Sequence, residues 1–173
     1  MHSAIISHKQ TAIDSTESLD QLDWSILSLL QRDSSLSNQV LADRVHTSPA
    51  TCQRRVKRLQ ALGYIERQVA ILSPQRLATC MGHGLTAIAE VTLDTQHVQA
   101  LDAFAQRVAG DEAVQQCYRV SPGPDFVLVL CARDMPHYQS ITQRLFTQDA
   151  QVRNVKTFFS VERVKFGTEL ALP

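Results

Sequence analysis

The chain has 173 residues, 44% hydrophobic and 20% charged, and its 17 Lys/Arg balance 17 Asp/Glu for a formal net charge of zero. That length suits one ordinary domain or two small ones, and no apolar run approaches the roughly 20 residues that span a bilayer. Four dispersed cysteines, Cys52, Cys80, Cys117 and Cys131, form no C-x-x-C pair, which argues against a zinc site and for free, largely buried thiols in a reducing compartment.

Residues 1–18, MHSAIISHKQTAIDSTES, are of mixed polarity, lack the apolar core of a secretory signal and read as a flexible tail. Helical spacing begins at Leu19: Leu22, Ile26, Leu29 and Leu30 form one stripe, broadened by Trp24 and Leu27. Asp33-Ser34-Ser35 interrupts it, and Ser37 can cap a short second helix with Val40, Leu41 and Val45 inward. After a tight turn at His46-Thr47, Ser48-Pro49 is a strong helix start, a serine cap followed by proline where a missing N–H costs nothing. Cys52, Val56, Leu59 and Leu62 then face the core, and Gly63 ends the helix as a residue tolerant of positive φ. Three short helices with a tight turn between the second and third make residues 19–64 a helix-turn-helix.

The third helix concentrates charge. SPATCQRRVKRLQALGYI (48–65) carries Arg54, Arg55, Lys57 and Arg58 and no acid, whereas residues 19–72 as a whole hold seven bases and five acids. Thr51, Arg54, Arg55 and Arg58 are spaced to share the face opposite the core, flanked by Ala50, Gln53 and Lys57. A helix that buries one face on its own domain and offers Thr, Gln and Arg outward is built like a major-groove reader. Lysine and arginine neutralise phosphates, Arg and Gln can read base edges, and Ser48 offers its hydroxyl and helix-start N–H groups to a phosphate. A solvated basic face would explain the charge alone; the whole three-helix arrangement favours double-stranded DNA as the partner.

Residues 65–84 read as strand and linker, with a strand over Ile65–Leu72, a short helical turn after Pro74, and His83 as a loop residue between glycines. Residues 85–173 alternate strand and helix: strands near 85–93, 113–120, 125–132 and 152–166, helices near 96–109 and 136–147, and a turn at Ser121-Pro122-Gly123-Pro124. The order βαββαβ is the ferredoxin-like split unit, an antiparallel sheet with both helices on one face. Its other face needs a cover, and a second copy of the chain is the simplest one. The histidines are scattered (His46, His97 and His137, with His2 and His8 in the tail), and no Ser/His/Asp or Cys/His constellation emerges. No catalytic residue, metal ligand or enzyme activity is therefore expected.

The segments LDQLDWSILSLLQRD, SPATCQRRVKRLQALGYIERQ, YRVSPGPDFVLVL and VKTFFSVERVK together resemble bacterial transcription regulators of the Lrp/AsnC (feast/famine) family, the leucine-responsive type above all, from Leu19 to Lys165. The resemblance implies an α+β fold: a three-helix, winged-type helix-turn-helix joined by a strand and linker to a ferredoxin-like βαββαβ domain that binds effector and oligomerises. It implies a homodimer in which the strand after the helix-turn-helix pairs between chains, with tetramers or octamers built from dimers. It also implies a cytoplasmic, nucleoid-associated protein with no membrane contact and no cofactor, modulated by an amino acid or related metabolite. The family turn commonly reads Thr-Gly-x-x-Asp; here Ser121-Pro122-Gly123-Pro124-Asp125 puts proline in the glycine's place. By the same resemblance Ser121, Gly123 and Asp125, with Met135, Phe158, Phe159 and Ser160, line the effector site. Asp125 would receive an amino group and turn N–H groups a carboxylate, although the two prolines remove two such donors. An effector-independent architectural DNA-binding protein is the alternative.

Overall fold

The computed structural model describes residues 18–82 and 84–173; the expected tail through residue 17 and His83 lie outside the described residues. The described residues fall into two compact units, one of 72–164 and one of 18–71 together with 165–173.

The DNA-binding candidate consists of α1 (Gln21–Leu30), α2 (Asn38–Arg44) and α3 (Pro49–Ala61). A capping box starts α1: the Asp20 carboxylate accepts from the Asp23 N–H at 2.9 Å and the Asp23 carboxylate from the Asp20 N–H at 3.3 Å. Ser37 and Ser48 cap α2 and α3 by accepting from the Val40 and Thr51 N–H groups. His46, at φ 54°, turns the chain between them, and the Asn38 amide donates to the Pro49 carbonyl at 2.8 Å. Gly63, at φ 79°, closes α3 in the left-handed region that favours glycine. Ile26, Leu30, Leu41, Ala42, Cys52 and Leu59 form the core beneath.

Residues 165–173 belong to this unit. The Gln31 side chain, just past the end of α1, donates to the Leu170 carbonyl at 3.1 Å and accepts from the Leu170 N–H at 2.9 Å. One carboxamide thus mimics a rung of a β-ladder. Arg32 pairs beside it with Glu169 at 3.3 Å.

The strand expected over Ile65–Leu72 is not formed within the chain: residues 65–73 are neither helix nor strand, and Val69, Ile71 and Leu72 are exposed. A strand requires a neighbour for its N–H and C=O groups, and the described residues supply none here. The short helical turn expected next is a two-turn helix, α4 (Pro74–Met81), capped by Ser73.

The second domain runs β1 (Leu85–Leu93), α5 (Val98–Ala109), β2 (Val114–Arg119), β3 (Phe126–Ala132), α6 (Met135–Thr142) with a π-helical turn at Gln143–Thr147, and β4 (Val152–Phe159). The sheet order is β2-β3-β1-β4 and every pairing is antiparallel, which is the ferredoxin-like βαββαβ arrangement. Alternation along β1 decides which face is covered. Ala87, Ala89 and Val91 are buried with Phe104, Val108, Ile141 and Leu145 from the helices. Ile88 points the other way, level with Val129 on β3 and Phe158 on β4, and Ile88, Tyr118 and Phe158 remain exposed. The last strand stops at Phe159, short of the expected 166; Ser160 still donates to the Thr86 carbonyl, and Val161 and Val164 beyond it are exposed. All four cysteines are free, and burial pushes the Cys52 and Cys117 thiols up. Among the described residues no helix is long and apolar enough to cross a membrane, and no His/Cys/Asp/Glu group could hold a metal ion.

Candidate nucleic-acid interface and ligand cleft

The geometry of α3 follows from its buried residues. Cys52 and Leu59 are fully enclosed, and at 100° per residue this turns Ala50, Gln53, Arg54 and Lys57 outward, all exposed. Thr51, Arg55 and Arg58 lie on the flank and are half-buried. That flank meets α1. Asp23, 0% exposed, accepts from Arg55 at 3.1 and 3.2 Å and from Arg58 at 3.0 Å. Half-exposed Asp20 takes the same Arg55 nitrogen at 2.7 Å. The hydrogen bond from the Asp23 N–H, with the Arg55 guanidinium beside it, holds the Asp20 carboxyl below its usual range, and Asp20 in turn raises Arg55. The eight residues expected at DNA therefore divide: Ala50, Gln53, Arg54 and Lys57 face outward, Arg55 and Arg58 are tied to α1, and Ser48 and Thr51 hold the start of α3. The Ser48 hydroxyl is itself engaged, accepting from the Thr51 N–H at 3.2 Å and donating to the Thr51 hydroxyl at 2.9 Å.

Sequence spacing did not single out Asp23, but a signal existed. Asp23, Ile26 and Leu30 fall at i, i+3 and i+7, so an acid sits on the buried stripe of a helix that must pack near four bases.

In the second domain the β2–β3 turn builds a cleft of about 300 Å³ lined by Gln96, Leu101, Arg119, Val120, Ser121, Gly123, Pro124 and Asp125. Gly123 sits at φ 122° and the Ser121–Pro122 peptide is cis. Asp125 anchors the turn: its N–H donates to the Val91 carbonyl at 2.9 Å and its carbonyl accepts from the Val120 N–H at 3.1 Å. Its carboxylate, 8% exposed, accepts from the Leu93 N–H at 2.7 Å and from the Gln96 amide at 3.0 Å. Both donors are neutral, and among the described residues no cation is paired with this carboxylate. Arg119, half-exposed and 3.6 Å from Asp102, brings the cleft's cation. Gln96 and Arg119 were not among the expected residues.

Ser121, Gly123 and Asp125 thus converge on one cleft; Met135, Phe158, Phe159 and Ser160 do not join them within one chain. Phe158 stands on the uncovered sheet face with Lys156 over its ring at 4.7 Å. Phe159, one residue on, lies on the helix side, edge-on to Tyr138 at 4.9 Å. Neighbouring strand residues point to opposite faces, so the two rings cannot line one pocket of a single sheet. Met135 opens α6 and is exposed, and Ser160 is held by its hydrogen bond to Thr86. A second, open groove of about 400 Å³ runs between α6 and β4 past Tyr138, Arg153 and Thr157.

Comparison with known proteins places both halves. Residues 19–66 match a family described as winged helix-turn-helix DNA-binding, and residues 86–170 match the Lrp/AsnC ligand binding domain. An HTH-type transcriptional regulator of Sinorhizobium fredii is 35% identical over 147 residues, 85% of each chain. The leucine-responsive regulatory protein of Escherichia coli is 31% identical over 154 residues, 89% of this chain and 92% of the other. A transcriptional regulator from Neisseria meningitidis, solved as a complex with L-Met, superposes with a TM-score of 0.78 at 28% identity, covering 89% of this chain and 97% of that one.

Proposed function

The chain belongs to the Lrp/AsnC family of DNA-binding transcriptional regulators, and from that membership we propose a homo-oligomer, built from dimers, whose grip on promoter DNA is adjusted by an amino acid or a close derivative. It is a regulator and not an enzyme, like the relatives it matches. In the proposed assembly two α3 helices enter successive major grooves of a pseudo-palindromic site. Gln53, Arg54 and Lys57 make the contacts beside Ala50, and the Ser48–Thr51 helix start lies against a phosphate.

One observation carries the reading. A helix-turn-helix with outward cations shares a chain with a separate domain whose cleft holds an arginine and a buried carboxylate that is paired with no cation among the described residues. An α-amino acid has the complementary pair, its ammonium for Asp125 and its carboxylate for Arg119, with Leu101 and Val120 as the apolar wall. Binding alters DNA affinity to the extent that the ligand prefers one assembly over another. The uncovered sheet face around Ile88, Tyr118 and Phe158 and the unpaired apolar segment 65–72 support the dimer, since each offers a surface that a second copy would cover. The Neisseria relative's complex with L-Met makes methionine the first amino acid to try.

The test is a salt series of binding to the promoter of its own or the adjacent gene, beside a scrambled duplex, with and without L-methionine and L-leucine. A preference for the promoter with a steep salt slope, shifted by either amino acid, supports the proposal. Equal affinity for both duplexes and no amino-acid response would establish the effector-independent architectural reading instead, which the loss of two turn N–H groups at Pro122 and Pro124 favours.

A further inference from the structure

We propose that Asp23 is a positioning residue for DNA recognition: it makes Arg55 and Arg58 the fasteners of α3 on α1, and so leaves Arg54 and Lys57 as the cations of α3 that meet the phosphates. The inference rests on the DNA-binding reading above.

The geometry is specific. Arg55 and Arg58 are three residues apart and so lie on one side of α3, and both reach a single carboxylate that is 0% exposed. A fully enclosed carboxylate needs donors on both oxygens, and those in reach of Asp23 beyond its own capping box are the two guanidiniums, so Asp23 dictates where they go. It is also the third residue of α1 and closes the capping box with Asp20, so one side chain ties the start of α1 to the middle of α3. With that knot in place the outward arc of α3 is centred on Ala50, Arg54 and Lys57. Arg54 and Arg55 are adjacent in sequence yet lie 100° apart around the axis, which separates a DNA contact from a structural one.

The knot also guards discrimination. Guanidiniums released from Asp23 would be drawn to any phosphate in reach, and phosphate contacts carry no sequence information. A residue that only stabilised the fold would, when changed, weaken binding to every duplex without steepening its salt dependence. A positioning residue behaves differently: in Asp23→Asn the salt slope becomes steeper by about one to two phosphates, binding to scrambled DNA tightens, and the promoter-to-scrambled ratio falls by about tenfold. Arg54→Ala moves the slope the other way, by about one.

The experiment measures these slopes on the full chain, with circular dichroism to establish that each variant is folded. A folded Asp23→Asn chain with unchanged slope and unchanged ratio overturns the proposal. Should that variant not fold, the unmodified chain decides through its arginine guanidinium NMR signals. DNA is expected to shift Arg54 while leaving Arg55 and Arg58 in place; a shift at either of the latter overturns the proposal. Hindered guanidinium rotation at Arg55 in the free chain, retained in Asp20→Asn where the competing Asp20 carboxylate is gone, reports the Asp23 contact. A chain that keeps this signature and binds no DNA would sink the regulator reading, whereas free rotation would sink the knot.

Discussion

Asp23 in the helix-turn-helix unit and Asp125 in the βαββαβ domain are the two buried acids among the described residues, and their neighbours differ in charge. Asp23 is closed in by two guanidiniums, so its charge is cancelled where it lies and nothing further is invited to it. Asp125 is held by a backbone N–H and a carboxamide, which fix its orientation and leave its charge uncancelled. The same side chain is a fastener in one domain and, in the function proposed above, a receptor in the other. What separates the roles is the chemistry of the second partner rather than the depth of burial.

The comparison can be broken most forcefully at Asp23. Its replacement by Leu alone should take the Asp23 bridge from both Arg55 and Arg58, leaving Arg55 with Asp20, and destabilise the DNA-binding unit by about 3 kcal/mol, the low end for breaking a buried pair. Asp23→Leu with Arg55→Met and Arg58→Met should recover most of that loss, because an apolar trio can replace an ionic one. Thermal unfolding followed by circular dichroism checks both; a triple variant no more stable than the single would show that the cluster's geometry, not its charge balance, holds α3.

Asp125→Asn should cost less, about 1–3 kcal/mol. The amide keeps one acceptor oxygen, so one of the two donors, Leu93 N–H or Gln96, faces an NH₂ group. Calorimetric titration with L-methionine and L-leucine should show binding lost beyond the stability change. Unaltered binding would mean that Asp125, like Asp23, is purely a fastener.

A smaller effect is expected from pH. The Asp20 carboxyl titrates below its unfolded value of about 3.9, so its contribution is fully present above that pH and is lost as pH falls through the depressed folded value. Asp20→Asn should lose that small contribution at neutral pH and lack the matching segment of the acid unfolding curve, so that the two chains converge in stability at low pH. Identical acid profiles for the two chains would show that the Asp20–Arg55 contact contributes nothing in solution.

Much of this architecture was legible in the sequence because its signals are local. Ser48-Pro49 and Gly63 bracket α3 to within a residue or two, alternating apolar residues mark β1, and a continuous apolar run marks β3. What escaped was non-local or already accounted for. Asp23 satisfies a helix cap, which conceals its second role toward residues 32 and 35 positions away. Arg54 and Arg55 both fit a generous outward arc, and only the packing of Cys52 and Leu59 shows which one turns inward. Phe158 and Phe159 look like a pair in sequence, yet the pleat of β4 sends them to opposite sides. The segment over Ile65–Leu72 has strand composition, but pairing is a property of two segments, and composition describes one.

The docking of Leu170 on Gln31 spans 139 residues and left no sequence signal at all. Its least expected effect falls on anyone recombining these domains. A chimera cut once near residue 72 would carry the helix-turn-helix away from its own last nine residues and supply it with a stranger's carboxyl end. Deleting 168–173 is the mildest version of that error, and it should lower the unfolding midpoint of the DNA-binding unit by only a degree or so, since an exposed ion pair and two surface hydrogen bonds contribute little. A fusion tag at the carboxyl terminus is likewise an attachment to the DNA-binding half. In this chain the order of the domains along the gene is not the order in which they can be taken apart.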